Sequence, residues 1–222
     1  MARGNAGFGS SGSQPLYQYD PQVALRHLRR RDKTLAALIK RVGAFTMESR
    51  AHLTPFQGLL RAIVYQQLSG LAAGSIDRRF KALFPGRRPS AKRLLEIDDD
   101  TLRGAGLSRS KVASMQDLAR KSLDGVVPNR RALAAMDDEV IIEQLVSVRG
   151  IGRWTAEMLL IFNLGRPDVL PVADLGVRKG YMLHVGDDEM PTFSELQQHG
   201  ECWRPYRSVA SWYLWRATEL DW

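Results

Sequence analysis

The run Arg149-Gly150-Ile151-Gly152 constrains this chain more than any other segment, because it joins two stretches of helical apolar spacing with almost no chain between them. Upstream, Ile141, Leu145 and Val148 recur at helical intervals, and downstream Met158, Ile161 and Phe162 do the same. Two helices are therefore predicted to meet in a tight turn. Gly150 and Gly152, lacking side chains, permit positive φ and close backbone approach. The amides that open the second helix can then face an anion the size of a phosphate.

Charge is compatible with such a partner. The chain carries 32 Lys and Arg against 24 Asp and Glu, a formal charge of +8, and its sequence pI is near 9.9. Basic side chains laid on a polyanion release condensed counterions and so gain sequence-independent affinity. A merely basic soluble protein accounts for the charge equally well. No apolar run approaches the ~20 residues of a membrane span, and the start lacks the apolar core of a secretory signal, so a soluble intracellular protein is expected. Cys202 is the single cysteine, which excludes an intrachain disulfide, a thiolate-held iron–sulfur cluster and the usual structural zinc sites. His27, His52, His184 and His199 show no metal-ligand spacing.

The punctuation of the rest is helical. Residues 1–14 are rich in Gly and Ser and are expected to be disordered. Asp20-Pro21, Thr54-Pro55, Ser69 and Ser108 are helix starts, and Thr192-x-x-Glu195 is a capping box. Leu35, Leu38, Ile39 and Val42 form a stripe closed by Gly43, while Ala72, Ile76, Phe80 and Leu83 lead to a stop at Pro85-Gly86. No alternating β-branched run competes, so the fold is expected to be all-α. Asp174, twenty residues after Trp154, precedes Leu175 and Val177 and reads as a helix N-cap.

Four segments together carry a resemblance: TPFQGLLRAIVYQQLS, VRGIGRWTAEM, PVADLGVRKG and WRPYRSVASWYLW, within roughly residues 50–218. They resemble the helix-hairpin-helix DNA glycosylases, in the alkylpurine branch related to 3-methyladenine DNA glycosylase II (AlkA-like). The resemblance implies two helical lobes flanking an active-site cleft, with residues 54–168 in the lobe that holds the hairpin and 15–53 plus 169–222 in the other. It also implies the compact form, without an added N-terminal α/β domain.

The same resemblance implies a monofunctional glycosylase of base-excision repair, acting on double-stranded DNA that contains damaged bases. Oligomeric state stays open, and a monomer is the default expectation because one DNA-binding face needs no partner. It would hydrolyse the N-glycosidic bond of flipped-out 3-methyladenine or 7-methylguanine, with hypoxanthine and ethenoadenine as further candidates. Asp174 becomes the catalytic carboxylate, which stabilises an oxocarbenium-like transition state. Trp154, Met158 and Trp215 are base-pocket candidates, where electron-rich rings suit a cationic base. Core packing is the common alternative for each. Trp154 stands where bifunctional relatives have a nucleophilic lysine, which disfavours a glycosylase/lyase. Lys111 and Lys179 leave that alternative a small opening, and a non-catalytic DNA-damage-binding protein is the other rival. Gln67 and Leu68 are the wedge candidates for the gap left by the flipped nucleotide. Gly150, Gly152 and Thr155 would hold one phosphate through their amides, with Arg149, Arg153, Arg178 and Lys179 as further contacts. No cofactor is required, but the main-chain carbonyls of Val146, Val148 and Ile151 would hold a monovalent cation such as sodium or potassium.

Overall fold

The computed structural model describes residues 17–221. The expectation for residues 1–14 lies outside the described residues. In chain order the helices are α1 (Pro21–Arg31), α2 (Lys33–Val42), α3 (Pro55–Tyr65), α4 (Gly70–Ala82), α5 (Ala91–Leu95), α6 (Asp99–Gly104), α7 (Arg109–Leu123), α8 (Arg130–Ala134), α9 (Asp138–Val146), α10 (Arg153–Met158), α11 (Leu175–Val185), α12 (Phe193–Gly200) and α13 (Arg207–Ala217). Among the described residues there is no strand, and no helix is long and apolar enough to cross a membrane.

Helix starts follow the local chemistry of the sequence. Asp20 accepts from the amide of Gln22, Ser69 from Ala72, Ser108 from Lys111 and Asp174 from Val177. Thr54 with Gln57 and Thr192 with Glu195 close reciprocal capping boxes. Each such cap stabilises its helix by about 1 kcal/mol. At the other end of α2, Gly43 takes φ +89, a region where a side chain would be strained.

Packing divides the helices into two groups that meet over one continuous core. α13 lies on α11, α2 and α1, while α3 lies on α4 and α7, with α5 and α6 against α7 and α9 against α10. The indole of Trp203, fully buried, donates to Asp32 Oδ2 at 2.8 Å, and His199 Nε2 lies 2.9 Å from the same oxygen. Because Asp32 also caps α2, one carboxylate ties the start of α2 to the segment after α12. Burial alone would raise the Asp32 carboxyl, but the bonds from His199, Leu35 and Trp203 together hold it well below the usual carboxylate range.

Two local expectations need correction. The second hairpin helix does not continue as an α-helix through Phe162. α10 ends at Met158 and Leu159–Leu164 follows in π geometry, closed by Gly165 at φ +67. Non-local donors match the widened turn: the Arg50 amide bonds the Phe162 carbonyl at 2.6 Å, and the Arg130 guanidinium bonds the Asn163 carbonyl at 2.7 Å. Widened turns of this kind recur at functional sites because they re-aim side chains. The two hairpin glycines also differ. Gly150 is left-handed at φ +77, and a Cβ there would lie 2.6 Å from Ser114 Oγ. Gly152 has φ −97, which any residue adopts, and open space where its side chain would be.

Candidate active site

The chemistry gathers in a cavity of about 530 Å³ between the two helix groups. Asp174 lies at its wall, 8% exposed, at the N-terminus of α11. Its Oδ1 accepts from the Val177 amide at 2.8 Å and from the Trp215 indole at 2.9 Å, and its Oδ2 accepts from the Trp154 indole at 2.6 Å. The helix cap and the site carboxylate are therefore the same group. Three fixed donors hold it in one orientation, and a helix N-terminus favours a negative charge. Gly176 allows this arrangement: a Cβ there would stand 2.9 Å from Trp215 Cδ1 and 3.2 Å from Asp174 Oδ1.

Trp154, Met158 and Trp215 all line the cavity, and Trp154 is 46% exposed. Trp215 stacks on Phe162 with ring centroids 5.6 Å apart at 26°. A larger depression of about 1010 Å³, lined by residues such as His52, Pro89, Asn129 and Arg131, contains no carboxylate.

Gln67 borders the same cavity with φ +56, a left-handed value that costs a non-glycine residue roughly 1–2 kcal/mol. Leu68 beside it is 39% exposed. The neighbouring Gln66 donates to the Gly150 carbonyl at 2.9 Å, so the loop between α3 and α4 is pinned to the hairpin. Lys111 donates to the carbonyls of Val64 and Gln66 at 2.7 and 2.9 Å. It caps the end of α3, and this occupies the ammonium that sequence had left open as a nucleophile.

At the hairpin itself, α10 begins at Gly152 with no side chain capping its first amides, and Thr155 is buried in that first turn. Arg149 donates its amide to Asp117 at 2.8 Å. Arg153 forks onto Glu139 at 2.5 and 3.0 Å and reaches Glu157 at 3.1 Å, so its guanidinium is already paired. Arg178 donates to the Pro191 carbonyl. The Val148 carbonyl accepts from the Ile151 amide at 3.0 Å, and Val146 closes α9.

Sequence reasoning missed Phe162, Tyr65, Arg50 and Arg61 as cavity residues. Phe162 was read only as part of an apolar stripe. Arg50 lies outside the four segments, Arg61 lies within one of them without a role assigned to it, and a single basic residue in sequence looks like a solvated charge. It also missed Glu157, which is 4% exposed one turn beyond Trp154. Burial pushes the Glu157 carboxyl up to about 7 from its ordinary 4.5, against the opposing pull of Arg153, while Glu139 and Asp174 push it further up. The folded state therefore holds this proton more tightly than the unfolded chain. Stability from this group falls as pH rises from about 4.5 to 7 and levels off above. The Glu157→Gln variant is expected to flatten that part of a melting-temperature profile, removing a change on the order of 2–3 kcal/mol. An unaltered pH slope in the variant would show that Glu157 is not the titrating group.

Comparison with known proteins gives the family and the fold. The family described as "HhH-GPD superfamily base excision DNA repair protein" matches residues 60–205. The chain is 36% identical over 199 residues to DNA-3-methyladenine glycosylase 1 of Schizosaccharomyces pombe, covering 87% of this chain and 86% of that protein. The solved structure of that organism's 3-methyladenine DNA glycosylase (Mag1), in complex with abasic DNA, superposes with a TM-score of 0.80 at 35% identity, over 90% of this chain and 98% of the other. A DNA-3-methyladenine glycosidase from Bacillus halodurans gives a TM-score of 0.80 at 34% identity, with 89% of each chain covered. The chain belongs to the HhH-GPD superfamily of base excision DNA repair proteins.

Proposed function

We infer that the protein is a monofunctional DNA glycosylase that hydrolyses the N-glycosidic bond of alkylated purines in double-stranded DNA, as a step of base-excision repair. The observation that carries this reading is Asp174: a single buried carboxylate, oriented by two indoles and a backbone amide, on the wall of a cavity large enough for a flipped base. As the glycosidic bond lengthens, positive charge develops on the sugar. A carboxylate already fixed in place stabilises that charge without reorganising, and it is suited to orient the attacking water.

The other residues take supporting roles. Trp154, Met158 and Trp215 enclose the base, and Gln67, with Leu68 beside it, fills the gap the nucleotide leaves, offsetting an unstacking cost of a few kcal/mol. The uncapped amides at the start of α10 and the open space at Gly152 are the features suited to a phosphate. Arg149 and Arg153 flank that position, with the Arg153 guanidinium held by Glu139 and Glu157. The carbonyls of Val146, Val148 and Ile151 are an oxygen-only donor set beside the C-terminus of α9, where the helix dipole favours positive charge, and this suits a monovalent cation. A single DNA-binding face is compatible with a monomer.

Release of free bases from methylated DNA, resolved by chromatography, tests the reading. The protein is expected to liberate 3-methyladenine or 7-methylguanine and to leave an unbroken abasic strand. Position 154 holds tryptophan and Lys111 is tied to two carbonyls, so neither presents an amine to form a Schiff base, and Lys179 is the lysine this test addresses. A borohydride-trapped protein–DNA adduct with efficient nicking would overturn the monofunctional assignment. No base release by folded, DNA-binding protein would overturn the glycosylase reading itself.

A further inference from the structure

Arg50 is mounted in the cavity more firmly than a surface arginine needs to be. Its amide donates to the Phe162 carbonyl at 2.6 Å, and its own carbonyl accepts from Asn163 Nδ2 at 3.0 Å. The Arg130 guanidinium holds the next residues by bonding the carbonyls of Ala51 and Leu53, so the backbone that presents Arg50 is clamped on both sides. The guanidinium carbon lies 5.0 Å from the Phe162 ring centroid, on the wall shared with Asp174 and Trp215. Among the described residues no carbonyl or carboxylate lies within hydrogen-bond or ion-pair distance of that guanidinium. Its donors are therefore available to whatever enters the cavity.

A second guanidinium reinforces the charge. Arg61 lines the same cavity with its carbon 3.7 Å over the Tyr65 ring, and its nearest acid, Asp77 at 3.8 Å, is bound more closely by Lys81 at 2.7 Å. Burial, and after it the charge of Arg61, lower the Arg50 proton affinity, while Glu48 and Tyr65 act in the opposite sense. Two of the aromatic faces that suit a cationic base, Phe162 and Tyr65, thus carry guanidinium groups instead.

We propose that Arg50 is a specificity-determining residue that donates hydrogen bonds to the acceptor edge of an uncharged damaged purine and disfavours purines with a fixed positive charge. The proposal rests on the glycosylase reading above. Hypoxanthine offers O6 and N7 side by side, the acceptor pair an arginine fork fits. In 7-methylguanine the N7 acceptor is blocked by the methyl group and the ring is cationic. The cationic base is the better leaving group, so absolute rates do not isolate the pocket. Comparing variant with wild type on each lesion cancels that intrinsic difference.

The experiment is single-turnover excision of hypoxanthine and of 7-methylguanine from duplexes of one sequence, by wild type, Arg50→Gln and Arg50→Lys. Affinity for a duplex with a tetrahydrofuran abasic analogue, and the melting temperature, are measured alongside. The ratio of hypoxanthine to 7-methylguanine excision is expected to fall tenfold or more in Arg50→Gln. It should fall less in Arg50→Lys, which keeps the charge and loses the fork. An unchanged ratio in either variant, or a loss on both lesions matched by weaker abasic-duplex binding, would overturn the proposal, the latter by showing a phosphate contact. Wild-type release of 7-methylguanine with no hypoxanthine overturns the specificity assignment and leaves the glycosylase reading standing. Release of neither base overturns the specificity assignment, and the glycosylase reading falls with it when 3-methyladenine is not released from methylated DNA either.

Discussion

Asp174→Asn is expected to lower the single-turnover rate of base release by about a hundredfold or more while leaving the protein folded. Asparagine caps a helix about as well as aspartate, so its amide oxygen can still accept from Val177 and Trp215 at the start of α11. What it cannot supply is the second oxygen or the negative charge. Its NH₂ group would face the Trp154 indole N–H, donor against donor, where Oδ2 now accepts at 2.6 Å. Trp154 is 46% exposed, so that indole can turn to water and the fold need not suffer. The check pairs the excision rate with a thermal melt. Near-normal turnover from a folded variant would remove Asp174 from the catalytic role, and a large drop in melting temperature would mean that its capping role dominates.

Gly180→Ala carries the largest expected cost to stability. In the middle of α11 this glycine faces α13, and a Cβ built on it would lie 1.9 Å from the Leu214 carbonyl oxygen and 2.6 Å from its carbon. Those are backbone atoms within a helix, so neither can rotate away. The helices would have to separate, exposing part of a core that includes Val177, Val209 and Leu214. Overpacking of this kind costs about 1–3 kcal/mol, occasionally more. At roughly 2–4 °C per kcal/mol for a chain of this length, the melting temperature should drop by about 5–10 °C. Activity should fall as well, because α11 carries Asp174 and α13 carries Trp215, which are bonded to each other across this contact. Gly104→Ala is the control. It adds a methyl group in open space at the end of α6 and should leave the melting temperature unchanged or slightly raised. Equal melting temperatures for Gly180→Ala and wild type would show that the helices tolerate a wider separation.

Much of the helical frame was legible in the sequence because its signals are local. A cap joins residues two or three apart, as in Asp20 with Gln22, Thr54 with Gln57 and Asp174 with Val177. The left-handed glycine at 150 likewise belongs to the turn it permits. Asp174 and its indole partners were also marked, Asp174 by its cap position and all three by the resemblance that their segments carry.

Other features depend on contacts between distant residues. The π segment is matched by donors from Arg50 and Arg130, far away in sequence, so the 3.6-residue spacing of its apolar side chains gave no warning. Phe162 was counted with the core stripe, and the widened turn sets it in the cavity wall. Glu157 read as an ordinary polar helix position until its neighbours closed over it and raised its carboxyl. Gly152 shows the opposite error: the sequence suggested a conformational need, and the backbone there has none.

By itself the sequence determined where the helices begin and where the hairpin turns, since these depend on short-range hydrogen bonds and on the conformational range of single residues. Only the tertiary structure decided which side chains face one another across the cavity. Arg50, Arg61, Phe162 and Trp215 come from separate elements, and their common surface exists only after α13 has packed on α11 and the π segment on α3. The charge and shape that a base meets there are sums over residues far apart in the chain, a quantity that no local pattern contains.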